Sequence, residues 1–161
     1  SRAETVTERA DVDLAVLVSG VLEGLPPDVV GDHQVVSSLA PAEVNGDRVL
    51  LGQLVANLVR NGLAHNRPGG RLEVSTSASE GRVLLVVEND GPMVEDDQVH
   101  GLFDRFVRRA EPGSAGHGLG LAIVRTIAET HGGSVEAHAR IAGGLLVQVE
   151  LPATAGRRPA T

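Results

Sequence analysis

Two helical stretches, each followed by a hairpin pattern, constrain this chain most. Residues 47–66 place Leu50, Leu51, Leu54, Val55, Leu58 and Val59 on one broad stripe at helical spacing. Asp47 is the expected N-cap, and Pro68-Gly69-Gly70 stops the chain beyond the helix. Residues 71–77 and 82–88 then read as two strands turning at Glu80-Gly81. A second strong helix, 117–131, is followed by strands at 134–140 and 145–151, turning over Gly143-Gly144. A helix with one apolar stripe must bury it, and an antiparallel hairpin offers one apolar face to receive it. The expected fold is therefore α/β: a two-layer α/β sandwich, not a doubly wound parallel sheet. Its mixed, mostly antiparallel sheet has about five strands, covered on one face by about three helices.

The remaining segments fit the same scheme. Residues 12–24 form a helix with Asp11 as cap, ended by Pro26-Pro27. Residues 33–39 read as a strand, Glu43-Val44-Asn45 as a short edge strand, and 94–106 as partly helical. Residues 107–116, polar and rich in Gly and Pro, form a loop. Aromatic residues make up only 1% of the chain, so the core must be aliphatic. The polar stretch 1–11 reads as the end of a linker, 12–152 as the domain and 153–161 as a disordered tail.

Several function classes fall away on composition. The formal charge of −7 disfavours nucleic acid and direct contact with an anionic membrane surface. Without cysteine there are no disulfides or thiolate metal sites. Every basic residue other than His is Arg. A Walker A loop and a eukaryotic-type protein kinase both need a Lys, so neither fits. No apolar run approaches the roughly 20 residues of a membrane span.

Four islands carry chemistry. On the long helix, Asn57, Asn61 and His65 stand at i, i+4 and i+8 and share one polar face. An Asn amide oxygen is a hard neutral ligand that suits Mg²⁺, although the same residues also suit a solvated helix end. At a strand end, Glu88-Asn89-Asp90-Gly91-Pro92 offers a carboxylate to an adenine amino group, while Gly91 permits close backbone approach. The same string is also turn chemistry. In residues 102–109, Phe103 and Phe106 are the only Phe, Tyr or Trp residues, and Arg105 and Arg108 could reach phosphates. The last island is Gly116-His117-Gly118-Leu119-Gly120, whose glycines alternate at a helix entrance, where open N–H groups and the dipole favour an anion. It is Gly-x-Gly-x-Gly after a loop, not the dinucleotide fingerprint after a strand.

In order and spacing, the four islands resemble the N, G1, F and G2 boxes of sensor histidine kinases, within the ATPase superfamily of gyrase, heat-shock chaperone, kinase and mismatch-repair proteins. The most specific strings are Leu102-Phe103-Asp104-Arg105-Phe106, the run from Gly116 through Val124, and His131-Gly132-Gly133. The resemblance implies a Bergerat-type fold binding ATP and Mg²⁺. It implies Asn61 as the Mg²⁺ ligand with Asn57 one turn earlier, Asp90 as the adenine carboxylate, and His65 beside the nucleotide. It further implies a mobile ATP lid at 107–116 with Gly116, Gly118 and Gly120 as its phosphate-facing hinge, flanked by His117 and Leu119. Arg105 and Arg108 match basic positions of the F box. Ala64 and Met93 depart from the pattern, replacing a common basic residue and the second Gly of the G1 box.

The function implied is the ATP-binding catalytic domain of a two-component sensor kinase, the cytoplasmic part of a membrane-anchored parent. Its expected partners are the dimerisation and phosphoacceptor domain of that parent and the receiver domain of a response regulator. The alternative is an ATP-hydrolysing or purely nucleotide-binding regulatory module. Hydrolysis is disfavoured because Asn57 stands where the hydrolytic branch resembles a Glu base, and an amide cannot take a proton from water. None of the six histidines has the acidic, Arg and Pro neighbours of the family's acceptor, so the phosphorylated His is expected outside this chain.

Overall fold

The computed structural model describes residues 8–103 and 117–154, with the backbone alone at His100, His117, Gly118 and Leu119. The elements run β1 (Ala10–Asp13), α1 (Leu14–Glu23), α2 (Pro27–Val30), β2 (Gln34–Leu39), β3 (Glu43–Gly46), α3 (Arg48–Ala64), β4 (Arg71–Ser79), β5 (Arg82–Asn89), α4 (Asp96–His100), α5 (His117–Thr130), β6 (Ser134–Ala139) and β7 (Leu145–Pro152). A five-stranded sheet has the order β2-β4-β5-β7-β6. Only β2 pairs in parallel, with β4; the other ladders are antiparallel. The two-layer sandwich expected from the sequence is the observed fold.

The core follows from the two periodicities. Strand β5 buries Val83, Leu85, Val87 and Asn89, every second residue, and β7 buries Leu145, Val147, Val149 and Leu151. This face packs under α1, α3 and α5, which bury Leu14, Val18, Leu51, Leu54, Val55, Leu58, Val59, Leu121, Val124 and Ile127. Burying each side chain of this size contributes about 1.5–3 kcal/mol, so an aliphatic core is sufficient without aromatics.

Helix α3 is anchored at its start. The Asp47 carboxylate accepts from the N–H groups of Val49 (2.9 Å) and Leu50 (3.2 Å), as its cap position requires. Asp47 N–H in turn donates to Nε2 of the buried His131 at 3.1 Å, and His131 Nδ1 lies 2.9 Å from Ile127 O. The second contact gives the ring its Nδ1–H tautomer and leaves Nε2 as acceptor. The end of α5 is thereby tied to the start of α3.

Two features differ from the sequence reading. Strand pairing begins at Ala10, within the stretch read as linker: β1 pairs antiparallel with β3, from Ala10↔Gly46 to Asp13↔Glu43, in a separate two-stranded sheet. Consequently α1 starts at Leu14, and its cap is Asp13, which accepts from Ala15 N–H, not Asp11. Val12 is fully buried as a strand residue of that ladder. Past β7, Ala153 N–H donates to Gly81 O and Thr154 N–H to Glu43 O, so the first two residues assigned to the tail are hydrogen-bonded to the fold. Residues 155–161 lie outside the described residues.

Candidate functional site

An open cleft lies where the C-terminal half of α3, the end of β5, the β6–β7 turn and the first turns of α5 meet. It is lined by Asn61 and His65 from α3 and its cap, Asn89 and Pro92 from the end of β5, and Val94, Leu102, Leu121, Gly144 and Leu145. The lining is apolar except for three side chains, Asn61, His65 and Asn89. A hollow of this kind with few convergent polar groups is the usual form of a small-ligand site.

Helical spacing brings Asn61 and His65 together, as the sequence predicts, because i and i+4 share a face. Asn57, one turn earlier, has a buried Nδ2 with no hydrogen-bond partner among the described residues. An orphaned buried donor costs stability unless something accepts from it, so this face keeps unused bonding capacity among the described residues. The donor chemistry also fits a small hard cation. Asn57 and Asn61 carry neutral amide oxygens, and Mg²⁺ takes few protein ligands alongside phosphate and water. Among the described residues no group of three or more His, Cys, Asp or Glu converges to compete for a metal.

Asp90 is engaged away from the cleft lining. Its carboxylate does not line the cleft. It accepts from the backbone N–H of Arg71 at 2.9 Å, from Arg140 at 3.1 Å and from Arg67 at 3.3 Å. The Arg71 N–H, followed by the Arg140 hydrogen bond, holds this carboxyl below the usual carboxylate range. The residue facing the cleft is Asn89. The reason is strand alternation: Asn89 continues the buried face of Val83, Leu85 and Val87, and Asp90 falls on the other side. Counting by twos from those three residues would have located it in the sequence.

The Asn89 amide is oriented. Its Nδ2 donates one N–H to Asp90 O at 2.8 Å, which fixes the turn of the amide and leaves Oδ1 and the second N–H for other partners. Gly91 is where expected but for a different neighbour: a Cβ here would stand 2.6 Å from His65 O, so the strand end and the α3 cap touch at backbone level. Gly144, at φ +87°, lets the β6–β7 turn press against the same strand end, where a Cβ would collide with Asn89 O. Gly144 N–H donates to Pro92 O at 2.9 Å.

Helix α5 begins at His117, so Gly118, Leu119 and Gly120 fall in its first turn, and Leu121 reaches the cleft. A Cβ at Gly120 would meet open space. Gly116, Arg105, Arg108 and most of the loop read as a lid lie outside the described residues. Two residues the sequence reading did not mark enter here. One is Asn89; the other is Arg140, whose guanidinium touches Glu88, Asn89 and Asp90 in succession. Nothing in the local sequence signals Arg140, because its partners are 50 or more residues away.

A sandwich of this topology, with an amide-bearing helix and a glycine-led helix meeting at a strand end, defines a nucleotide-binding domain class, and comparison with known proteins gives the family. The chain belongs to the histidine kinase-, DNA gyrase B- and HSP90-like ATPases, whose family model matches residues 46–155. Within that family its relatives are sensor kinases. It is 38% identical over 152 residues to the sensor protein CutS of Streptomyces coelicolor, covering 91% of this chain and 37% of CutS. It is 38% identical over 154 residues to the sensor histidine kinase TrcS of Mycobacterium tuberculosis, covering 90% of this chain and 30% of TrcS. The structure of the mycobacterial sensor histidine kinase MprB superposes with a TM-score of 0.78 at 30% identity, covering 90% of this chain and 97% of that one. The chain thus spans about a third of the length of these curated relatives.

Proposed function

We propose that the cleft binds Mg-ATP and that this domain presents the γ-phosphoryl group to a histidine on a separate dimerisation helix domain, for relay to an aspartate of a response regulator. The observation that carries this reading is the convergence of Asn61, His65 and Asn89 on an apolar hollow beside the start of α5. The apolar walls suit a purine. Asn89 Oδ1 accepts from an adenine 6-amino group, and a guanine carbonyl at that place would face an oxygen instead. His65 stands beside the base. Asn61 holds Mg²⁺ through its amide oxygen, and Asn57 Nδ2 offers a donor one turn away. Bound Mg²⁺ supplies charge neutralisation to the phosphoryl group.

Phosphates belong at the start of α5, where Gly118 and Gly120 lie in the first turn with His117 and Leu119 and the first backbone N–H groups have no partner within the helix; Gly116 joins them on the family resemblance. Arg105 and Arg108 are assigned to phosphates on the family resemblance alone. Asp90, bonded to Arg67, Arg71 and Arg140, serves in the scaffold behind the base. The parent is proposed as a membrane-anchored sensor with this domain on the cytoplasmic side; among the described residues no helix is long and apolar enough to cross a membrane.

Phosphoryl transfer needs an imidazole that this chain does not offer in the family's setting. Mixing the chain with Mg-ATP and a separately produced acceptor hairpin should place acid-labile phosphate on the hairpin, with none on the chain alone. Steady release of inorganic phosphate without the hairpin would instead favour the ATP-hydrolysing reading.

A further inference from the structure

We propose that Arg140 sets the base selectivity of the cleft by locking the Asn89 amide in one of its two orientations. The inference rests on the reading of Asn89 as the base contact. A carboxylate at that position would accept only. A neutral amide has two faces, an acceptor and a donor, and can serve either purine according to which face it turns inward. Adenine presents a donor at its 6-position and guanine an acceptor. Selectivity at Asn89 is therefore a matter of what prevents the amide from turning over.

The lock is visible in the geometry. Asn89 Nδ2 donates to the carbonyl of the next residue, Asp90 O, at 2.8 Å. That carbonyl keeps its direction only while Asp90 itself is held, by the peptide before it and by its side chain. Arg140 holds it from the turn just past the end of β6. One guanidinium nitrogen donates to Asn89 O at 2.6 Å and to Asp90 Oδ1 at 3.1 Å, and Nε lies 3.5 Å from Glu88 Oε1. Three consecutive residues at the end of β5 are thus gripped by one planar fork. The grip is sheltered, with the Arg140 side chain 27% exposed and that of Asp90 22%. Asp90 passes the restraint to β4 through the Arg71 N–H at 2.9 Å. The Arg140 side chain meets the cleft lining through its bond to Asn89 O, and its backbone N–H donates to Gly144 O at 3.1 Å; both contacts restrain the frame of the cleft, so Arg140 is a positioning residue.

Without this grip the Asp90 carbonyl can swing away, Nδ2 loses its partner, and the amide can rotate to turn a donor inward. A Lys at 140 would keep a point charge near Asp90. It could not fork to Asn89 O and Glu88 at the same time.

The test is calorimetric titration of the chain with Mg-ATP and with Mg-GTP, in wild type, Arg140→Met and Arg140→Lys. Wild type should favour ATP. Arg140→Met should reduce the ATP-to-GTP affinity ratio about tenfold, the size expected when one hydrogen bond changes sides. Arg140→Lys should fall between the two. A purely structural role would weaken both nucleotides alike. An unchanged ratio in the variants, against a clear ATP preference in wild type, overturns the inference and leaves the Asn89 reading standing. Equal binding of ATP and GTP by wild type overturns the Asn89 reading itself, and this inference with it. Thermal melting identifies a variant that fails to fold, and if Arg140→Met is such a variant, the ratio in Arg140→Lys decides.

Discussion

The two ends of α3 are built to different standards. At its start, every polar group named above is matched: Asp47 caps the first turn, its N–H meets His131, and His131 is matched on both ring nitrogens. Around its C-terminal half, Asn57 Nδ2 is buried without a partner among the described residues, and so is Asn66 Oδ1 just past the cap. Helix propensity does not explain the contrast, since both ends belong to one helix. The satisfied end serves the fold, and the unsatisfied end is left with bonding capacity for something else. Unmatched polar atoms near a cleft carry information that matched ones do not.

Substitutions at the two ends should separate stability from binding. The largest effect is expected for His131→Ala, which strands the buried Asp47 N–H and opens a cavity. It should cost about 3 kcal/mol of stability in urea unfolding, with a loss of nucleotide affinity well below that of the Asn61 substitution. A large loss of affinity at unchanged stability would break the comparison. Next is Asn61→Ala. It should weaken Mg²⁺-dependent ATP binding by about 1.5–3 kcal/mol in calorimetry, with little change in melting temperature. Unchanged binding in the presence of Mg²⁺ would remove Asn61 from the metal site. The smallest and sharpest is Asn57→Leu. Removing an orphaned donor should leave the unliganded chain as stable, or more stable by about 1 kcal/mol, while weakening nucleotide binding. A destabilised Asn57→Leu with normal ATP affinity would mean that the amide serves the fold.

What was legible in the sequence divides along the range of the interactions. Helix α3, its Asp47 cap and both hairpins could be read because their signals sit within a few residues: a 3.6-residue stripe, a period of two, a turn at Glu80-Gly81. The β1–β3 ladder could not, since Ala10 and Gly46 meet only in space and Val12 fits a helical stripe equally well. Asn61 and His65 were found because one helix carries both. The sequence reading takes Asp90 as the adenine carboxylate, whereas Asn89 is the residue that lines the cleft, in step with the alternation of Val83, Leu85 and Val87. Arg140 and the His131–Asp47 link were invisible, because each joins residues 50 or more positions apart.

The anchored start of α3 has a geometric consequence for its other end. From Asp47 to Asn61 is fourteen residues of helix, a nearly rigid arm of about 21 Å. Strand β3 runs directly into that pivot, and β3 is laced to β1. A tilt of about 1° at the pivot would carry Asn61 about 0.4 Å, roughly the tolerance of a metal ligand. The accuracy of the cleft is therefore decided partly at the far side of the domain, where a small two-stranded ladder and one buried imidazole act as the bearing of a lever.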